Sequence, residues 1–316
     1  MAENTMLTVK KYESQDKDTW DNFITNSKNG YFIFNRDYME YHSDRFQDFS
    51  LMFFKENKLV AVIPANIEND EVTSHGGLTF GGIISNKKMT TSTMLKIFQK
   101  MKEYLKLQGV KELIYKPIPH IYHTIPAEED LYALFLNKAK LIRRDVSSTI
   151  NMEDKLPFNR NMKRKIRKSR KIGFKIQKSH DYEEFMKIEE KRLNEKYGVN
   201  PTHTGKEIKL LASNFPNNIK LFTAENQGEI HGGIIVFEDK YIAHGQYQAS
   251  TDEGLYLNCN DLILDYLIGD YYKDKKYFDF GISNEKDGLY LNEGLLRYKS
   301  QFGAHAVVHD FYKLEI

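Results

Sequence analysis

The chain has 316 residues, 41% of them hydrophobic and 13% aromatic, which is enough buriable surface for two domains and too much for a disordered chain. A single cysteine, Cys259, excludes an internal disulfide and a thiolate-built metal site, and it fits a reducing compartment. With 46 basic and 44 acidic side chains the formal charge is +2, so attraction to a polyanion has to come from local clustering.

The N-terminus, MAENTMLTVKKYESQDKDTW, is polar and lacks the apolar core of a secretion signal. No stretch approaches the roughly 20 apolar residues that cross a bilayer. The expectation is a soluble, cytoplasmic protein without a membrane span. Strand-like segments follow in LMFFKENKLVAVIPANIENDEVTSHGGLTFGGIIS (51–85), with turn signals at Glu56-Asn57 and at Glu68-Asn69-Asp70. Within it, SHGGLTFGGII sets four glycines around Phe80. That pattern suits either close approach of backbone to a ligand or a tight, bulged hairpin.

Over 91–109, Met94, Ile97, Phe98, Met101, Tyr104 and Leu105 recur at helical spacing, and Gly109 stands where a helix stops. A strand, VKELIYKPIP (110–119), comes next. The same plan returns in KLFTAENQGEIHGGIIVFEDKYIAHGQYQAS (220–250), the helix-like NDLILDYLIGDYYKDK (260–275) and KYFDFGIS (276–283). From Glu56 to Leu113 is 57 residues and from Glu225 to Phe278 is 53. The two halves therefore read as one repeated meander, helix and strand unit, with a boundary near Val146 to Pro157 and domains at 1–150 and 151–316.

Between the halves, Arg160 to Lys171 holds eight basic residues in twelve. Phe158, Met162 and Ile166 recur every fourth position, so a helix here shows a narrow apolar stripe under a cationic sheath that ends near Gly173. Like charges one turn apart weaken such a helix. Arg160, Arg164, Arg167 and Lys168 are therefore candidates for holding phosphates, the alternative being a solvated face.

Downstream, His203 and Thr204 precede a helix-like run, where each is either a cap or a substrate contact. In YIAHGQYQAS, strand alternation puts His244, Gln246 and Gln248 on one face and Gly245, Tyr247 and Ala249 on the other. His244 is a candidate proton acceptor, Gln246 a candidate substrate contact and Tyr247 a candidate ring wall. The chain has no Walker A sequence, no His-Glu-x-x-His and no Gly-x-Ser-x-Gly, and Ser74-His75-Gly76 is not a nucleophile elbow.

Three stretches, RNMKRKIRKSRKIGFKI, YFDFGIS and GLLRYKSQFGA, together resemble the Fem-type aminoacyltransferases. They also resemble the short single-chain relatives of those enzymes in the acyl-CoA N-acyltransferase (GNAT-like) superfamily, found near bacterial surface-glycan genes. The resemblance implies an α/β (α+β) fold of two tandem GNAT-like domains, each a mixed, mostly antiparallel sheet flanked by helices, with the donor site in the second.

It further implies transfer of an acyl group, such as acetyl, from acyl-CoA to an amine acceptor without a metal. An amino sugar or a cell-envelope glycan precursor is the expected kind of acceptor. The helical-hairpin insertion with which the larger relatives engage tRNA is absent, which favours acyl-CoA. An aminoacyl-tRNA-dependent transferase and a non-catalytic RNA- or polyanion-binding protein remain the alternatives.

The relatives aim the lysine of a Phe-Lys-x-x-Phe-Gly stretch at the developing oxyanion. The match is Lys299 in Tyr298-Lys299-Ser300-Gln301-Phe302-Gly303, with Tyr in place of the first Phe. Asp279 and Gly281 are then expected to end a strand at the cleft, and the Gly288 to Gly294 loop with Asn292 to wrap the substrate. For Asp279 the other reading is a turn cap, and for Asn292 a helix N-cap.

Overall fold

The apolar spacings of the sequence become helices packed on sheets in two units of the computed structural model, which describes residues 6–316. Unit 1 comprises the chain up to Asp145 with 287–289 and 308–316, and unit 2 comprises Val146–Lys286 and Tyr290–Val307. The fold is mixed α/β in both units.

Unit 1 begins with β1 (Leu7–Lys11), α1 (Lys17–Asn26), α2 (Arg36–Met39), β2 (Leu51–Lys55) and β3 (Lys58–Ile63). It continues with β4 (Asn66–Glu68), β5 (Glu71–Thr73), β6 (Ile84–Ser85), α3 (Thr91–Leu107), β7 (Glu112–Tyr115) and α4 (Glu129–Leu136). Strands β1, β2, β3 and β6 form an antiparallel sheet in that order. The Thr90 hydroxyl accepts from Thr93 N and starts α3. The expected stripe of Met94, Ile97, Phe98, Met101 and Leu105 is buried against Phe53, Leu113 and Tyr115, each large side chain contributing about 1.5–3 kcal/mol. Gly109, at φ +78°, ends the run. Strands β5 and β7 are parallel and joined through α3, the crossover that a parallel pair requires.

The segment 74–83 is a loop, not a hairpin. The Gly81 and Gly82 N–H groups both donate to the Lys116 carbonyl, and a Cβ on Gly81 would stand 2.0 Å from the Ser74 carbonyl oxygen. Here the glycines serve backbone packing.

β8 (Lys140–Asn151) passes from unit 1 into unit 2. There follow α5 (Arg160–Arg170), β9 (Lys175–Ser179), α6 (Tyr182–Tyr197), α7 (Gly205–Asn214), β10 (Ile219–Asn226), β11 (Glu229–Glu238) and β12 (Ile242–Ser250). The chain ends with α8 (Asp252–Leu257), α9 (Cys259–Tyr266), β13 (Tyr277–Ile282), β14 (Asn284–Glu285), β15 (Tyr290–Leu291), α10 (Glu293–Ser300) and β16 (His305–Glu315). In unit 1, Tyr312–Glu315 of β16 pair antiparallel with β7.

The sheet of unit 2 runs β8-β13-β12-β11-β10-β9. All of its pairings are antiparallel except β12 with β13, which are joined through α8 and α9. Both units thus close a parallel pair over a helix, as the sequence repeat implies. The Glu-Asn signal plays different parts in the two: Glu56 and Asn57 are the positive-φ turn itself, whereas Glu225 and Asn226 end β10 and the turn falls on Gln227 and Gly228.

The stretch read as one helix over 260–275 is α9 followed by a π turn at Leu267–Tyr271. That wider turn sets Tyr271 and Tyr272 against Phe222, at ring separations of 4.8 and 6.0 Å. On one side of the sheet Met162 and Ile166 of α5 join Ile234, Val236, Ile263, Phe278 and Phe302 in the core.

Candidate active site

β12 and β13 pair over only Ile242–His244 with Tyr277–Asp279. On its other side β13 pairs with β8, whose register shifts between Asp279 and Ile282 around Gly281 at φ +74°. The register sets His244, Asp279 and Thr149 side by side across three strands.

Asp279 is fully buried. Its Oδ1 accepts from Ser147 Oγ and Thr149 Oγ1, both at 2.6 Å. Its Oδ2 accepts from Gly281 N at 3.2 Å and lies 2.7 Å from His244 Nδ1. Four donors saturate the carboxylate, as burial of a charge demands. The bond to Asp279 assigns the imidazole proton to Nδ1 and leaves Nε2 as the acceptor nitrogen.

Lys299, 5% exposed, donates from Nζ to the carbonyls of Gly281 at 2.8 Å and Ile282 at 2.7 Å. Burial pushes its pKa down to about 8, against the opposing pull of the Asp279 charge. His244, Asp279, Gly281 and Lys299 are therefore one connected cluster. Asp279 caps the turn at Gly281 through its Oδ2 and is also the centre of that cluster.

Tyr247 departs from the strand alternation read in the sequence. A bulge lets Val236 pair with Gly245 and Ile235 with Tyr247, skipping Gln246, so the phase inverts there. Tyr247 therefore shares a face with His244, and Gln248 lies on the other. The Tyr247 hydroxyl accepts from His203 N at 3.2 Å and sits 2.6 Å from His203 Nδ1. It is Thr204, through a capping box with Glu207, that starts α7.

Asn292 caps α10, its side chain accepting from Leu295 N at 3.0 Å, while its amide donates to Glu285 Oε1 at 2.8 Å. Phe80, in unit 1, is 2% exposed, with its ring 4.4 Å from that of Tyr122 and 6.0 Å from that of Phe34. It belongs to an aromatic cluster of that unit.

A cleft of about 820 Å³ opens within unit 2. Glu189, Arg192 and Lys196 of α6 line it, with Gln248–Ser250 of β12, Asp261 of α9, and Asn292 and Tyr298 at α10. Tyr298 donates to Asp261 Oδ1 and accepts from Gln248 Nε2, both at 2.9 Å. From α5 only Lys165 reaches the lining; Arg160, Arg164, Arg167 and Lys168 stand exposed on the helix's outer face and do not line this cleft.

The sequence reading missed Glu189 and Asp261. Glu189 carried a signal, because it continues the buried stripe of Tyr182, Phe185 and Met186 at helical spacing. Burial raises its pKa to about 7. The Asp261 pKa is also raised by burial, opposed by its bond to Tyr298 and by Lys165.

Residues 158–300 match the family described as acetyltransferase (GNAT) domain. This span lies almost entirely in unit 2 and contains every residue of the cluster except Ser147 and Thr149. The match marks this stretch of unit 2 as similar to a GNAT-type acetyltransferase domain.

In fold the chain is similar to FemX, with a TM-score of 0.67 at 12% identity over 95% of this chain and 96% of that one. It is also similar to L-PGS from Bacillus licheniformis, with a TM-score of 0.63 at 9% identity over 96% and 92%. A tandem GNAT protein from the clavulanic acid biosynthesis pathway gives a TM-score of 0.54 at 8% identity over 98% of each chain. No curated protein matches the chain in sequence. Among the described residues no helix is long and apolar enough to cross a membrane, and no group of three or more His, Cys, Asp or Glu is placed to hold a metal ion.

Proposed function

We propose that the protein is an N-acyltransferase that moves an acyl group, acetyl in the simplest case, from acyl-CoA to an amine by direct attack. The observation that carries this reading is the buried His244–Asp279 pair beside Lys299, within a span that matches an acetyltransferase family. Attack on a thioester needs a neutral amine, a group to take its proton and a positive or donor group at the developing oxyanion.

His244 Nε2 takes the proton, and Asp279 holds the ring in that tautomer and stabilises the imidazolium. Lys299 spends two of its three N–H donors on the carbonyls of Gly281 and Ile282. The third donor and the charge remain for the oxyanion, and a pKa of about 8 keeps the group mostly protonated at neutral pH. Arg160, Arg164, Arg167 and Lys168, exposed on α5, would hold the donor phosphates in this reading. The acceptor is a small amine such as an amino sugar or an envelope-glycan precursor, and the donor implies a cytoplasmic reaction.

One observation favours a second reading, transfer from a charged tRNA. Seven of the eight basic side chains between Arg160 and Lys171 are exposed, more charge than the phosphates of one CoA require.

Replacing His244 by Gln separates chemistry from binding. Expected is a fall in turnover of about 10²- to 10⁴-fold in a CoA-thiol release assay with a panel of amines, while acetyl-CoA affinity stays within about twofold of the parent. Undiminished turnover would remove His244 from the reaction.

A further inference from the structure

The cleft of unit 2 holds two acids with unspent acceptors. Glu189 is 7% exposed, lines the cleft, and has no hydrogen bond or ion pair among the described residues. Asp261 is 4% exposed and its Oδ2 has no hydrogen-bond partner, Lys165 Nζ standing 3.7 Å away. An isolated buried carboxylate is among the costliest groups a protein can keep. Packing does not explain Glu189, because α6 has exposed positions for a glutamate on either side of its buried stripe.

We infer that this cleft is a binding site for a ligand bearing a primary ammonium, with Glu189 as its counter-ion and Asp261 as a second acceptor. The volume of about 820 Å³ suits a ligand far larger than an ion. Tyr298, Gln248 and Asn292 also line the cleft, Tyr298 being held by its bonds to Asp261 and Gln248. As the seat of the reacting amine, the site rests on the acyltransferase reading. As an ammonium site it stands without that reading.

The ammonium can arrive on the acceptor or on the acyl group of the donor. Both sources share the chemistry, and the probes below tell them apart.

The charged groups that line the cleft with Glu189 are Lys165 from α5, Arg192, Glu195 and Lys196 from α6 itself, and Asp261 from α9. Arg192 is engaged through Nε by the Ser250 carbonyl and through Nη1 by Asp252, while its buried Nη2 has no hydrogen-bond partner. Burial raises the Glu189 pKa to about 7, so below that pH the group is neutral and its attraction for ammonium is lost. Binding of an alkylammonium that stays protonated across this range therefore strengthens as pH rises, by about tenfold between pH 6 and pH 8.

The test is a thermal-shift titration with 5-aminopentanol against its N-acetyl form, and with alanine amide against N-acetylalanine amide. Either ammonium compound should stabilise the protein where its acetylated partner does not. The tighter of the two identifies whether the amine comes with the acceptor or with the acyl group. Glu189→Gln, which keeps the side-chain volume, should weaken 5-aminopentanol at least tenfold and abolish its rise in binding between pH 6 and pH 8, and Asp261→Asn should weaken it less.

Equal response to amine and amide, or full affinity in Glu189→Gln, would overturn the assignment. Neither readout uses turnover or CoA. Failure of the acyl-CoA reading would leave it standing, and its own failure would leave the His244 result untouched.

Discussion

Asp279→Ala is expected to lower stability by about 3–5 kcal/mol and to abolish transfer. Removing this carboxylate orphans the Ser147 and Thr149 hydroxyls, the His244 Nδ1–H and the Gly281 N–H in a place without exposure. Each buried donor left unpaired costs about 1–3 kcal/mol, although the two hydroxyls can rotate toward other partners. Asp279→Asn divides the structural part from the chemical part. The amide fills the space and keeps an acceptor, so the stability loss falls to about 1–2 kcal/mol. It cannot hold all four donors, and an amide N–H turned to His244 would force the imidazole proton onto Nε2. Turnover should then drop by about 10²- to 10⁴-fold. Denaturant unfolding beside single-turnover kinetics reads both effects, and wild-type turnover in Asp279→Asn would exclude the His–Asp pair from proton transfer.

For Lys299→Met two effects oppose each other. The buried ammonium is a burden, because its pKa falls from 10.5 to about 8. At neutral pH that corresponds to at most about 3 kcal/mol of destabilisation. Methionine removes it, but it leaves the carbonyls of Gly281 and Ile282 without their donor, at about 1–3 kcal/mol each. The net expectation at pH 7 is a loss of about 1–2 kcal/mol, with turnover reduced at least about 10²-fold by loss of the oxyanion charge.

The sign with pH follows from the depressed value. Between pH 8 and 10.5 the unfolded chain binds more protons than the folded one, so Lys299 makes wild-type stability rise across that window. Lys299→Met lacks this rise, and the gap between the two proteins should widen toward pH 10. A gap constant from pH 7 to 10 would contradict burial as the cause of the shift.

Much of the fold was legible because its signals are local. The stripes of α3 and α5 depend only on spacing within each helix, and Met94, Ile97, Met162 and Ile166 are buried as that spacing requires. The repeated order of meander, crossover helix and parallel strand likewise lies along the chain. The limits of α9 were less visible, because a π turn leaves the apolar spacing almost unchanged.

The candidate site was legible in part. Lys299, Asp279, Gly281 and His244 were each visible as unusual residues, and the structure joins them. Their mutual arrangement was not readable. The hydroxyls that fix Asp279 come from Ser147 and Thr149, 132 and 130 residues away in sequence. The face of Tyr247 depends on a bulge opposite Ile235 and Val236 that only the partner strand reveals. Phe80 and its glycines carried a pattern that backbone packing and ligand approach share, and the close contact at Gly81 is with Ser74 of the same loop. Glu189 was hidden by the ordinary assumption that a glutamate in a helix faces water.

Calorimetric titration of the purified protein with acetyl-CoA, free CoA and charged tRNA, at low and moderate salt, is the most direct test of acyl-CoA as the donor. The expected result is saturable, near-stoichiometric binding of acetyl-CoA that survives moderate salt. Binding of charged tRNA with no heat from either CoA compound would contradict it and assign α5 to RNA.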